Sequence, residues 1–136
     1  MRGGYVHTDQ LILPLETWLR LQGAGVHREY RIVMDGRVGW GDLLAIHGRL
    51  RLLVEAELTP DRVAGDLWKA EAVEATHLLI PVPNHSVELK VRRVLAGVNG
   101  DQSCQILCHT LPKAIQRLSE LLSGRNVLMT SDKKGD

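Results

Sequence analysis

The sequence is short of aromatic residues. It has no phenylalanine, three tryptophans and two tyrosines, so no ready platform for stacking unpaired bases is visible. It holds two cysteines, Cys104 and Cys108. The opening "MRGGYVHTDQ" has no apolar signal core, so secretion is not expected, and both thiols read as reduced and buried in a cytoplasmic protein. A zinc set is not completed either. His109 stands beside Cys108, but no second Cys or His pair supplies a tetrahedron. No run of 18 apolar residues occurs, so no membrane span is expected. Charge of neither sign dominates: 17 Lys and Arg face 16 Asp and Glu, a net +1. That balance removes a general electrostatic footprint for nucleic acid while leaving room for a local basic patch. Glycine loops of the P-loop or dinucleotide type are absent.

What is present reads as one domain. A chain of 136 residues with 44% hydrophobic and 24% charged residues can bury a real core. "TDQLILPLETWLRLQGAG" patterns as a first helix, capped by Thr8 or Asp9 and ended by Gly23 and Gly25, with Leu11, Leu15, Trp18 and Leu19 on one face. Pro14 either kinks it or marks its true first turn. "HREYRIVM" and "RVGWGDLLAI" are strands joined by a two-residue turn at Asp35–Gly36. His47–Gly48 closes a second hairpin to "RLRLLVEAEL". The period then changes. "TPDRVAGDLWKAEAVEA" is a helix capped by Thr59, "THLLIPVP" a strand buried on both faces, and "NHSVELKVRRVLAG" a helix capped by Asn84 or Ser86. "SCQILCH" is a strand, "TLPKAIQRLSELLSG" a helix, and "NVLMT" a final extended piece. The order α-β-β-β-α-β-α-β-α predicts an α/β fold, with a mixed central sheet and helices on both faces. Its core spans 8–83 and a C-terminal α-β-α extension spans 84–130. Residues 1–7 and 131–136 are expected to be flexible termini.

Three acids interrupt the apolar hairpin: Asp42, Glu55 and Glu57. With a two-residue loop at His47–Gly48, Asp42 lies opposite Leu53. Glu55 is then its diagonal neighbour, roughly 7–8 Å away at the backbone. A four-residue loop puts Asp42 directly opposite Glu55. Either way strict alternation sends all three acids to one face, whereas a three-residue loop would break the arrangement. Clustered carboxylates repel, and burying them is costly. A hard cation such as Mg²⁺ or Mn²⁺ relieves both problems and makes a bound water more acidic. The alternative is a plainly solvated sheet face.

The element order, the acid in "GWGDLLAI" and the E-x-E in "LLVEAEL" resemble the restriction-endonuclease-like PD-(D/E)xK nuclease superfamily. The resemblance covers about residues 8–83, including the following helix "DRVAGDLWKA". It implies a restriction-endonuclease-like fold with an αβββαβ core, DNA phosphodiester hydrolysis, and Mg²⁺ or Mn²⁺ held by Asp42, Glu55 and Glu57. A glutamate on the first helix often assists in that family, and Glu16 is the match. Two departures stand out. Gly41 replaces the proline, and Glu57 occupies the position where lysine is usual. Lys69 on the next helix, sharing a face with Arg62 and Asp66, can supply the missing charge; a surface salt-bridged stripe has the same spacing.

Arg28, Arg31, Arg49 and Arg51 surround the hairpins and Arg62 opens the following helix, where they can track a phosphate backbone or simply solubilise the surface. Glu29, opposite Asp42, and His47 and His77 read as ordinary strand and turn residues. The expected function is a metal-dependent DNA nuclease, working as a homodimer or with a partner protein that supplies DNA recognition, because so small a domain has little surface to enclose a duplex. The second reading is a catalytically inactive nuclease-fold domain that binds nucleic acid or protein.

Overall fold

The computed structural model describes residues 4–98 and 103–131. The chain enters through a π-helical segment, Val6–Ile12, which runs directly into helix α1, Leu13–Leu21. Pro14 sits in the first turn of α1. Its missing N–H is no loss where the hydrogen-bond pattern changes from one helix type to the other. The π-helical segment starts inside the stretch expected to be loose, and this places His7 on a defined element.

Strands β1 (Gly25–Met34), β2 (Arg37–His47) and β3 (Leu50–Val54) form an antiparallel meander. A 3₁₀ turn, Pro60–Arg62, then leads into α2, Val63–Ala72. Next come β4 (His77–Val82), α3 (His85–Ala96), β5 (Gln105–Thr110) and α4 (Leu111–Ser131). Asn84 caps α3 by accepting the Val87 N–H at 3.0 Å. The "NVLMT" segment is helical, not extended, and belongs to α4. A single glycine costs a helix only about 1 kcal/mol, and no proline follows to stop it.

The five strands lie in the order β1-β2-β3-β4-β5, with β3-β4 and β4-β5 parallel. The crossovers through α2 and α3 make those pairings parallel. The mixed sheet with helices on both faces is therefore as expected. On one face, Leu15 and Leu19 of α1 and Leu118 of α4 pack against Leu43, Leu52, Val54 and Leu79. On the other, Val63 and Ala70 of α2 and Val91 of α3 meet Leu44, Leu53, Leu78 and Ile80. Alternate residues of β3 and β4 feed the two layers, which explains their unbroken apolar runs. Each fully buried leucine contributes roughly 1.5–3 kcal/mol, so these layers outweigh surface ion pairs such as Arg20–Glu16. Among the described residues, no helix is long and apolar enough to cross a membrane.

The first turn is Asp35–Gly36, as expected, with Met34 paired to Arg37. The second is Gly48–Arg49 and not His47–Gly48, because His47 pairs with Leu50. The first central position needs positive φ, and Gly48 supplies it at 59° without the steric cost that His47 would incur. The resulting register is that of the four-residue-loop alternative. Carried one step past Leu43–Val54, it sets Asp42 beside Glu55.

Candidate metal centre

The ladder between β2 and β3 stops at Leu43–Val54, short of the Leu58 end expected for the third strand. Beyond Val54 the chain leaves β2 and keeps to β4. The Glu55 N–H donates to the Leu79 carbonyl at 2.9 Å, and the Glu57 N–H to the Pro81 carbonyl at 3.1 Å. Donors two residues apart that aim the same way keep the chain extended, so the Glu55 and Glu57 side chains leave on one face. That is the face of Leu53, which looks at α2.

A fork opens between β2 and this segment, and side chains close it. Asp42 Oδ2 accepts the Ala56 N–H at 2.9 Å. From α2, Lys69 Nζ donates to the Trp40 carbonyl at 2.9 Å and lies 3.7 Å from Glu55 Oε2. One turn before Lys69, Asp66 points into the same space. Glu55, Glu57 and Asp66 each offer one carboxylate oxygen, and these atoms lie within 4.8 Å of one another. All three residues are buried, with 1%, 7% and 1% exposure. They line a cavity of about 340 Å³ together with His7, Arg62 and Lys69.

Gly41 makes room for this arrangement. A Cβ there would stand 2.7 Å from Leu53 Cδ1 and 3.3 Å from Glu55 Oε2. A side chain at position 41 would collide with Leu53 and crowd Glu55, so the residue before Asp42 is glycine.

Electrostatics decide what so tight a group can do. Two like charges 4.8 Å apart repel by about 3–4 kcal/mol at an effective dielectric constant of about 20. Lys69 offsets part of this, and the rest is relieved by protons. Burial pushes the Asp66 carboxyl up to about 11, helped by its hydrogen bond to Glu57 and by the charges of Glu55 and Glu57. Burial also raises Glu57, and the charge of Asp42 adds to the rise, against the opposing effects of Asp66, Lys69 and Arg62. Without an ion, protonated Asp66 donates to Glu57. Its Oδ2 is buried with no hydrogen-bond partner among the described residues. An all-carboxylate set with a spare buried oxygen matches the preference of a hard divalent cation. The cluster can hold one in place of the proton.

Of the expected residues, the structure brings Glu55, Glu57, Lys69 and Arg62 together. Asp42 stands at the edge of the group and is not one of the three converging acids. The reason is a slip in the alternation of β2. Leu43 and Ala45 face α1, whereas Gly41 faces Leu53 and Ile32 in the α2 layer. The slip falls at Asp42, where the β1-β2 ladder lacks the Glu29–Asp42 pair and Glu29 has a φ of 52°. Glu16 does not join the site. It pairs with Arg20 at 2.9 Å and Arg28 at 3.6 Å, which also commits Arg28.

Arg49 lies in the β2-β3 turn, six residues before Glu55 and roughly 20 Å away along an extended strand. Arg51, near the same end, donates through Nε to the Val73 carbonyl. Arg31 is exposed on β1, opposite Trp40. The arginines therefore form no single footprint around the cavity. Cys104 and Cys108 are free thiols, and burial raises both, Cys108 to about 11.

Asp66 and His7 also line the cavity, and neither stands out in the sequence as a site residue. Asp66 carried a signal, its shared face with Lys69, but helical spacing does not say whether a face meets water or other acids. His7 carried none, because its element begins before the first apolar repeat.

No family model, curated protein or solved structure matches the chain. Fold and site together define an α/β domain with a buried carboxylate cluster at a fork in its sheet.

Proposed function

We propose that the protein is a divalent-metal-dependent phosphodiesterase acting on DNA, with Mg²⁺ or Mn²⁺ held by Glu55, Glu57 and Asp66. The observation that carries this reading is the convergence of three buried carboxylates within 4.8 Å, beside Lys69. Such a group is costly unless a proton or a cation neutralises part of its charge, and its spare buried oxygen suits a cation. The order of elements and the position of the acids at the fork support a restriction-endonuclease-like fold. When bound, the ion would make a coordinated water more acidic and polarise a phosphoryl oxygen.

The chain's own residues supply the rest. Glu57 occupies the usual lysine position and acts as a ligand, while Lys69 brings positive charge to the cavity from α2. Lys69 and Arg62 offset the charge of the phosphate. Asp42 braces the Glu55–Glu57 peptide through the Ala56 N–H. With its arginines dispersed, the domain engages DNA as a homodimer or with a partner protein that supplies recognition.

The test is cleavage of plasmid and branched DNA in Mg²⁺ or Mn²⁺ by wild type, Glu55→Gln and Lys69→Met. Metal-dependent cleavage that falls on the order of 100-fold or more in each variant is expected. Equal background in all three would favour the catalytically inactive nucleic-acid- or protein-binding module.

A further inference from the structure

The π-helical segment carries a residue that touches the site through another. His7 lines the cavity, and its Nε2 lies 3.0 Å from Asp42 Oδ2. The same oxygen accepts the Ala56 N–H at 2.9 Å. Ala56 is the residue between Glu55 and Glu57. A continuous chain thus runs from the His7 imidazole through one carboxylate oxygen to the peptide that spaces two of the three converging acids. The elements explain why such a brace is needed. At the fork, Ala56 has no β2 residue paired beside it, and only β4 holds the flanking Glu55 and Glu57 N–H groups. Asp42 sits where β2 changes face, and the imidazole contacts the same carboxylate oxygen that accepts the Ala56 N–H. Its Nδ1 lies 3.3 Å from Thr8 Oγ1, which limits ring rotation. The ring is largely buried, with 13% exposure.

We infer that His7 is a positioning residue that, through Asp42, holds the Glu55–Ala56–Glu57 peptide in its ion-binding conformation. The inference rests on the metal reading above. It differs from that reading in assigning a role to a segment outside the strands and α2. His7 does not join the ligand set. It orients a carboxylate, and the carboxylate orients a backbone. Residues that orient a ligand shell in this way typically change metal affinity 10- to 100-fold when removed.

The test uses the full chain with His7→Ala and His7→Gln, the latter placing an amide N–H near the position of Nε2. Amide hydrogen exchange at Ala56 is measured without metal, and Mn²⁺ affinity by calorimetry. His7→Ala is expected to speed Ala56 exchange and weaken Mn²⁺ binding about 10-fold or more. His7→Gln should restore both to within a few-fold of wild type. Far-ultraviolet circular dichroism confirms that each variant is folded, and Glu16→Gln serves as a control that moves neither readout. The inference is overturned if folded His7→Ala keeps wild-type Ala56 exchange and Mn²⁺ affinity, or if His7→Gln is as impaired as His7→Ala. Absence of Mn²⁺ binding by wild type overturns the metal reading itself, and the inference with it.

Discussion

Asp66→Asn separates the stability of the ion-free protein from its affinity for a cation. In the ion-free site Asp66 is protonated and donates to Glu57, and an asparagine amide can do the same without titrating. The carboxyl is raised from 3.8 to about 11, chiefly by burial. The sign follows from linkage. A group whose folded pKa is raised contributes stability that is fully present below the unfolded pKa and is lost as pH rises toward the folded one. Between pH 5 and pH 8 the unfolded chain has released this proton and the native protein has kept it. Without metal, the Asp66 contribution to wild-type stability therefore falls with rising pH, by up to about 1.4 kcal/mol per unit for one proton and about 4 kcal/mol over three units. Asp66→Asn removes that slope. The assay is urea denaturation in EDTA at several pH values across this window, with m compared to confirm the same transition. The advantage of the variant over wild type should grow by about 4 kcal/mol from pH 5 to pH 8, yet it should bind Mn²⁺ far more weakly. Parallel pH profiles for the two proteins would refute the account of a proton held in the cluster.

Three further outcomes follow from the same geometry. Lys69→Met leaves the buried Glu55 charge without its ammonium and should cost roughly 3 kcal/mol of unfolding free energy in denaturant titration; adding Glu55→Gln should recover most of it, and a double variant as unstable as the single one would count against the pairing. Gly41→Ala forces a methyl against Leu53 and Glu55 and should cost roughly 1–3 kcal/mol while weakening Mn²⁺ binding. Gly65→Ala, with nothing within 4 Å of its new methyl, should instead be neutral or gain up to about 1 kcal/mol, so a loss there would mean α2 is not packed as described.

The sequence disclosed the element order because its punctuation is local. Asp35–Gly36, Thr59 and Asn84 mark ends by their own backbone and side-chain chemistry. The register was legible only as a set of loop-length alternatives, and the placement of one glycine at positive φ decided among them. What strict alternation could not convey was the slip at Asp42. It depends on a distortion at Glu29, on another strand, and it turns Asp42 from a converging acid into a brace. Asp66 was visible as one member of a helical stripe with Arg62 and Lys69. That the stripe faces two buried glutamates is a property of packing, set by where α2 lands on the sheet. Glu16 was expected from the resemblance alone, and Arg20 and Arg28 hold it elsewhere.

The central claim is that Glu55, Glu57 and Asp66 form a cation site. Calorimetric titration of the full chain with Mn²⁺ at pH 7.5, in two buffers of different ionisation enthalpy, tests it most directly. The account predicts one ion bound per chain with release of about one proton, both lost in Asp66→Asn and both kept in Glu16→Gln. No binding by wild type, or undiminished binding by Asp66→Asn, would contradict it.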